Sequence, residues 1–205
     1  MLVKLYPDNP NEKALEQISR VLSDGGVIIF PTDTVYSLGC DFSQKKALEK
    51  VARIKGLKLE KADFSLVCHD LSHISEFTKA IDTPTYKLLK RALPGPYTFI
   101  LEASNLIPKI FKNKKKTVGI RVPDNPIALS IIKHLGRPLV STSIHDEDEV
   151  IEYTTDPELI HEKYEQMVDL VVDGGFGDNY ASTVIDCTQG EWEVIREGKG
   201  SLDVL

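Results

Sequence analysis

Between residues 31 and 39 the chain reads Pro31-Thr32-Asp33-Thr34-Val35-Tyr36-Ser37-Leu38-Gly39, so hydroxyls, a carboxylate and a phenol fall within a few residues of one another. Small hydroxyl groups donate and accept hydrogen bonds without blocking the approach of a ligand. The preceding run, Val27-Ile28-Ile29-Phe30, is short, β-branched and bounded by Gly25-Gly26 and Pro31, the pattern of a buried strand. Polar residues that follow such a strand lie at a sheet edge, where open α/β sheets receive ligands. Taken alone, the segment fits a polar turn before a helix equally well, because Thr, Asp and Gly are ordinary turn residues.

The same kind of cluster recurs. Pro94-Gly95-Pro96-Tyr97-Thr98 leads into a predicted strand, and the stretch from Thr117 to Pro123 holds a strand ending in Arg121. Ser141-Thr142-Ser143 ends another strand, Ser182 to Asp186 begins one, and Arg196-Glu197-Gly198 follows the last. Arginine offers a planar fork for carboxylate or phosphate. Hydroxyls and guanidinium groups repeated at strand ends suit a small anionic ligand. Individually each has a plainer role: Lys55 fits a solvated helix end, Arg121 a structural salt bridge, and Ser141 to Ser143 ordinary strand-end hydroxyls.

Other groups carry less. Lys112, Lys114, Lys115 and Lys116 form the strongest basic run, either a solvated loop or a pocket rim that attracts phosphate or RNA. His145 with Asp146-Glu147-Asp148-Glu149 reads as a solvated acidic loop, since adjacent carboxylates seldom converge on one ion. Gly174-Gly175 and Gly177 mark a turn, because no GxxxxGK[ST] sequence is present. Cys40, Cys68 and Cys187 are widely spaced, which predicts no metal site and a reduced, cytoplasmic chain.

The elements that must position these groups alternate. Leu15, Ile18 and Leu22 share one face of a predicted helix that Gly25-Gly26 stops. Ser43 is placed to cap a second helix with Ala47, Leu48, Val51 and Ala52 inward. Further helices are predicted near Pro84 to Leu93, from Pro126 to Leu135 and from Pro157 to Tyr164, with strands at 64–68, 97–101, 118–121, 138–142, 168–172, 183–186 and 194–197. Phe30, Phe99 and Trp192 are expected to fill core or strand surface. This alternation argues for a layered α/β domain. With 205 residues, 41% of them hydrophobic and 27% charged, the chain has the composition of a globular domain, and no apolar run is long enough to span a membrane. Its net charge of -6 counts against broad nucleic-acid affinity.

Taken in order, Pro31 to Gly39, Lys55, Pro94 to Thr98, Gly119 to Pro123, Ser141 to Ser143, Ser182 to Asp186 and Arg196-Glu197-Gly198 give the chain a resemblance to the YrdC/YciO family of L-threonylcarbamoyladenylate synthases. Within that family it is most similar to the YciO branch. The resemblance implies a single YrdC-like domain over residues 1–205, with a twisted open mixed sheet, flanking helices and a concave basic pocket. It implies that L-threonine, bicarbonate and ATP, the last with Mg2+, give threonylcarbamoyl-AMP and pyrophosphate for tRNA modification. By the resemblance Thr32, Tyr36, Arg121, Thr142 and Ser182 bind threonine, Lys55, Thr117, Ser143 and Arg196 face the nucleotide, and Lys55 and Arg121 are catalytic.

Two departures weaken the nucleotide half. The family's Lys-x-Arg is Lys55-Gly56-Leu57 here, with Arg53 and Lys58 as nearby cations out of register, and His145 stands in place of an Asn. Charged hydrogen bonds are worth roughly 1.5–3 kcal/mol each, so losing two costs on the order of a hundredfold or more in binding. The alternative is a module on the same scaffold that binds double-stranded RNA or nucleotide without efficient adenylation.

Overall fold

The computed structural model describes residues 1–59, 62, 64–107, 116–144 and 152–205. The expectations for Lys112, Lys114, Lys115, His145 and the acidic run 146–149 lie outside the described residues. Turn residues cut the chain into short strands: β1 (Leu2–Lys4), β2 (Val27–Phe30), β3 (Ser37–Asp41), β4 (Ser65–Val67), β5 (Tyr97–Glu102), β6 (Thr117–Arg121), β7 (Leu139–Ser143), β8 (Leu170–Asp173), β9 (Thr183–Asp186) and β10 (Glu193–Arg196). Between them lie α1 (Glu12–Ser23), α2 (Lys45–Ile54), α3 (Leu71–Phe77), α4 (Thr83–Ala92), α5 (Pro126–Leu135), α6 (Glu152–Thr155) and α7 (Pro157–Tyr164).

All ten strands join one mixed sheet in the order β1-β8-β2-β3-β7-β4-β6-β5-β9-β10. The β1/β8, β2/β8, β4/β6 and β5/β9 pairs are parallel, and the rest are antiparallel. Strand β10 is an edge: its four residues are exposed, and a bulge separates Val194 from Arg196.

The two sheet faces are unlike, and this creates the site. One face is apolar from end to end. Ile29, Leu38, Leu66, Phe99, Ile120 and Val140 pack there against α2, α3, α4 and α7 through residues such as Leu48, Ile74, Leu89 and Ile160. On the other face α1 and α5 cover Ile28, Phe30, Leu170 and Val172, and that cluster reaches no farther than Val67 and Leu139. Beyond them alternation puts Ser141, Ser143, Ser65, Thr117, Gly119, Thr98 and Ser182 on the same face. A Cβ on Gly119 would stand 2.9 Å from Ser65 Oγ and 3.3 Å from Thr98 Cγ2, which confirms that the three side chains share one surface.

The helices begin where side chains meet orphan amides. Asn11, Asp82, Asn125 and Asp156 cap α1, α4, α5 and α7, and α4, α5 and α7 carry Pro in the first turn. Ser43 does not cap α2. Gln44 occupies that position without a side-chain capping bond, its amide donating instead to the Ser23 carbonyl at 2.8 Å, while Ser43 gives its N–H and Oγ–H to Asp41 Oδ1 at 2.9 and 2.8 Å. The buried Asp41 carboxylate also receives Arg137 at 2.6 and 2.9 Å, and this stronger acceptor draws Ser43 away. Phe30 and Phe99 are fully buried as expected, and Trp192 packs on the core with its indole N–H on Thr85.

Gly39 is closely packed on the polar side of β3. A Cβ there would meet Phe30 Cε1 at 2.7 Å and the Val140 carbonyl at 2.8 Å. Gly39→Ala is therefore expected to destabilise the fold by about 1–3 kcal/mol, read as a lower urea midpoint with an unchanged slope.

Candidate active site

Arg121 ends β6 in the middle of the uncovered face and is 4% exposed. A cation buried so deeply requires a partner. The loop after β2 folds across the face to provide it: Arg121 Nη2 donates to Asp33 Oδ1 and to Thr34 Oγ1, both at 2.9 Å. Asp33 Oδ2 accepts the Asp124 N–H at 3.1 Å, and its backbone carbonyl accepts Lys199 Nζ at 2.6 Å. Burial pushes the guanidinium below its ordinary value, Asp33 opposes that shift, and nearby Arg196 adds to it. It stays a cation at neutral pH. Its Nε–H is buried with no hydrogen-bond partner among the described residues.

Around this centre the predicted residues fall into groups. Thr32 is buried, with Oγ1 donating to the Val35 carbonyl at 2.8 Å and accepting the Thr34 N–H at 3.1 Å. Those bonds hold the loop that presents Asp33. Ser182 and Thr98 share a 2.8 Å hydroxyl contact, and Arg196 donates to the Ser182 carbonyl at 2.9 and 3.2 Å. Arg196 therefore belongs with Arg121 and Ser182, not with Lys55. At the other end of the face Lys55, the C-cap of α2, donates to the Ser143 carbonyl at 3.0 Å, and burial lowers its pKa. Thr117 starts β6 at that same end, four residues before Arg121. The rise of a strand puts the two about 13 Å apart.

Two expected residues are placed elsewhere. Thr142 pairs with Leu38 in the ladder, and alternation turns it to the apolar face, away from Ser141 and Ser143. Tyr36 is fully buried, its hydroxyl donating to the Gly175 carbonyl at 2.7 Å and accepting the Gly174 N–H at 3.1 Å. Burial raises its pKa. It braces the β8–β9 turn, where Gly175 has φ +88 as the glycine pattern requires. Leu57 is exposed and brings no fork to the Lys55 end. Asp33, Thr34, Thr98 and Lys199 were not singled out as ligand-facing by the sequence. For Asp33 a signal existed, since a buried Arg demands an acid and Asp33 lies between two of the residues already marked.

An open cavity of about 520 Å3 lies over Thr32 and Asp33, walled by Phe176, Asp178 and Lys199. Among the described residues no three His, Cys, Asp or Glu side chains converge to hold a metal ion.

The domain thus leaves one sheet face polar, with a buried arginine at its centre and a lysine at its far end. The chain belongs to the Sua5/YciO/YrdC family, described as "Telomere recombination", which matches residues 20–198. It is 40% identical to the uncharacterized protein YciO of Escherichia coli (strain K12) over 200 residues, 97% of this chain and 95% of that one. The crystal structure of E. coli YciO superposes with a TM-score of 0.92 at 38% identity, covering 100% of this chain and 98% of that one. The chain is 28% identical over 180 residues to the threonylcarbamoyl-AMP synthase of Coxiella burnetii, 87% of this chain and 95% of the relative. P. abyssi Sua5, solved in complex with L-threonine, superposes with a TM-score of 0.86 at 25% identity, covering 97% of this chain and 57% of that one.

Removing the acid should expose the demand of the buried charge. Asp33→Ala leaves Arg121 uncompensated and is expected to cost about 3–5 kcal/mol in urea unfolding. Asp33→Ala combined with Arg121→Met should recover most of that loss, a coupling that a double-mutant cycle measures.

Proposed function

We propose that the protein forms threonylcarbamoyl-AMP and pyrophosphate from L-threonine, bicarbonate and ATP, for the threonylcarbamoyladenosine modification of tRNA. One observation carries this reading: Arg121 is a buried guanidinium on a polar sheet face, its Nε–H unpaired among the described residues. Threonylcarbamoyl-AMP synthases among the relatives and L-threonine in the P. abyssi Sua5 complex support it.

The chemistry needs an anionic carbamate on the threonine nitrogen, whose oxygen then attacks the α-phosphorus of ATP. Two anions must be neutralised and aligned for that attack. In this reading the Arg121 guanidinium faces the threonine carboxylate, with Thr32, Ser182 and Thr98 around it. Lys55, Thr117 and Ser143 receive the phosphates about 13 Å away along β6, a separation set by strand rise. Arg196 stands on the amino-acid side, where its charge supports the carbamate. Mg2+ on the triphosphate assists departure of pyrophosphate.

The departure at Leu57 favours a second reading, in which the scaffold binds nucleotide or double-stranded RNA without efficient adenylation. RNA binding driven by phosphate contacts would fall steeply with added salt.

The deciding measurement is pyrophosphate release from ATP, Mg2+ and bicarbonate with and without L-threonine. Threonine-dependent release is expected. No such release from folded protein, alongside an active synthase, overturns the reading in favour of the binding module. Arg121→Ala removes the charged hydrogen bond to the carboxylate and should lower threonine-dependent turnover by about tenfold or more. Undiminished turnover in that variant would remove Arg121 from its assigned role.

A further inference from the structure

Lys199 lies beyond every residue that the sequence marked, yet it joins three segments at the mouth of the cavity. Its Nζ donates to the Asp33 backbone carbonyl at 2.6 Å and to Asp178 Oδ2 at 2.7 Å. Asp33 is the residue whose carboxylate holds Arg121. Asp178 belongs to the loop between β8 and β9, and its own N–H reaches the Thr34 carbonyl at 3.3 Å. One ammonium thus ties the loop after β2 to the β8–β9 loop from a base on the C-terminal segment.

That base is rigid. Lys199 N–H bonds the Ala181 carbonyl at 2.8 Å, and Thr183 Oγ1 receives Gly198 N–H at 3.0 Å and donates to the Gly200 carbonyl at 2.7 Å. A Cβ on Gly198 would stand 2.4 Å from the Ala181 carbonyl, and one on Gly200 would stand 2.4 Å from the Tyr97 ring. The loop it holds is more exposed: a Cβ on Gly175 would meet nothing within 4 Å, and Phe176 is 80% exposed. The ion pair itself is half-open to solvent, with side-chain exposures of 41% for Lys199 and 30% for Asp178. Burial alone would raise the Asp178 carboxyl, but the Lys199 bond and the Tyr180 and Asn179 amides hold it below the usual range.

We propose that Lys199 and Asp178 form a clasp that positions Asp33, and through it the Arg121 guanidinium, so that opening the clasp loosens the anion site. Lys199 is a positioning residue in this scheme and touches no reacting atom. Only the part concerning threonine affinity rests on the function proposed above; the hold on Arg121 does not.

The test uses the full-length protein labelled with 15N. The Arg121 Nε–H signal reports the guanidinium directly, and amide exchange of residues 176–180 reports the loop. Lys199→Met keeps the aliphatic stem and removes the charge. An exposed pair of this kind predicts exchange about two- to fivefold faster at both places and a similar weakening of L-threonine affinity, with Lys199→Arg restoring wild-type values. Asp178→Asn breaks the pair from its other side but leaves the Lys199 bond to the Asp33 carbonyl, so it should give a smaller change in the same direction, while the double variant adds nothing beyond Lys199→Met. Wild-type exchange at Arg121 Nε–H in both single variants overturns the clasp. If L-threonine leaves the Arg121 signal of the wild-type protein unmoved, the threonine reading falls, and the exchange rates still decide the clasp.

Discussion

A guanidinium buried in the middle of a sheet face is the constraint around which the rest of this structure is arranged. Arg121 must be neutralised, and no strand neighbour does it: Val67 pairs with it on one side, and Thr98 lies opposite on the other. The acid comes from outside the sheet, on a loop that crosses over from β2. Holding that loop requires the bonds within Thr32, Thr34 and Val35, the Asp124 amide and the Lys199 ammonium. A buried ion pair seldom adds net stability over an apolar equivalent. Its presence on the polar face is therefore not accounted for by stability alone.

The second constraint is the unequal treatment of the two faces. The stability of the domain comes from one continuous apolar layer and from the smaller cluster of α1 and α5. The remaining strand positions are then free to carry serine, threonine and glycine. Gly119 has no Cβ because Ser65 and Thr98 already occupy the space beside it, which keeps the floor flat. Strand β6 connects the two ends of that floor, with Thr117 near the lysine and Arg121 near the acid.

Much of the fold was legible because its elements have the periodicities that physics requires. The α5 helix, with Asn125 before Pro126 and Gly136 after Leu135, and strand β9 occupy the residues expected from pattern alone. Helix α3 was missed because it has only seven residues, too few for a repeating apolar stripe, and is started by the Asp70 side chain. Strand β3 was missed because the polar residues before it masked a run whose burial depends on neighbours far away in sequence. The motif residues Arg121, Ser182 and Lys55 stood out by type and context. Which of them meet did not, because grouping depends on strand order, and strand order placed Arg196 with Ser182 and turned Thr142 to the opposite face. Lys199 left no trace in the sequence, since a lone lysine between glycines has no pattern.

Arg196 reaches the floor from β10, the strand bonded on one side only and exposed at all four residues. Arg121 sits on β6, bonded on both sides. Edge strands with few buried contacts open locally at far lower free energy than central ones. The two guanidinium groups that share the Ser182 end of the floor are therefore anchored in ground of different stiffness. The inner one is tied to strands on either side, whereas the outer one rides on an edge that opens at lower free energy, so the positive charge on the floor is less constant at Arg196 than at Arg121.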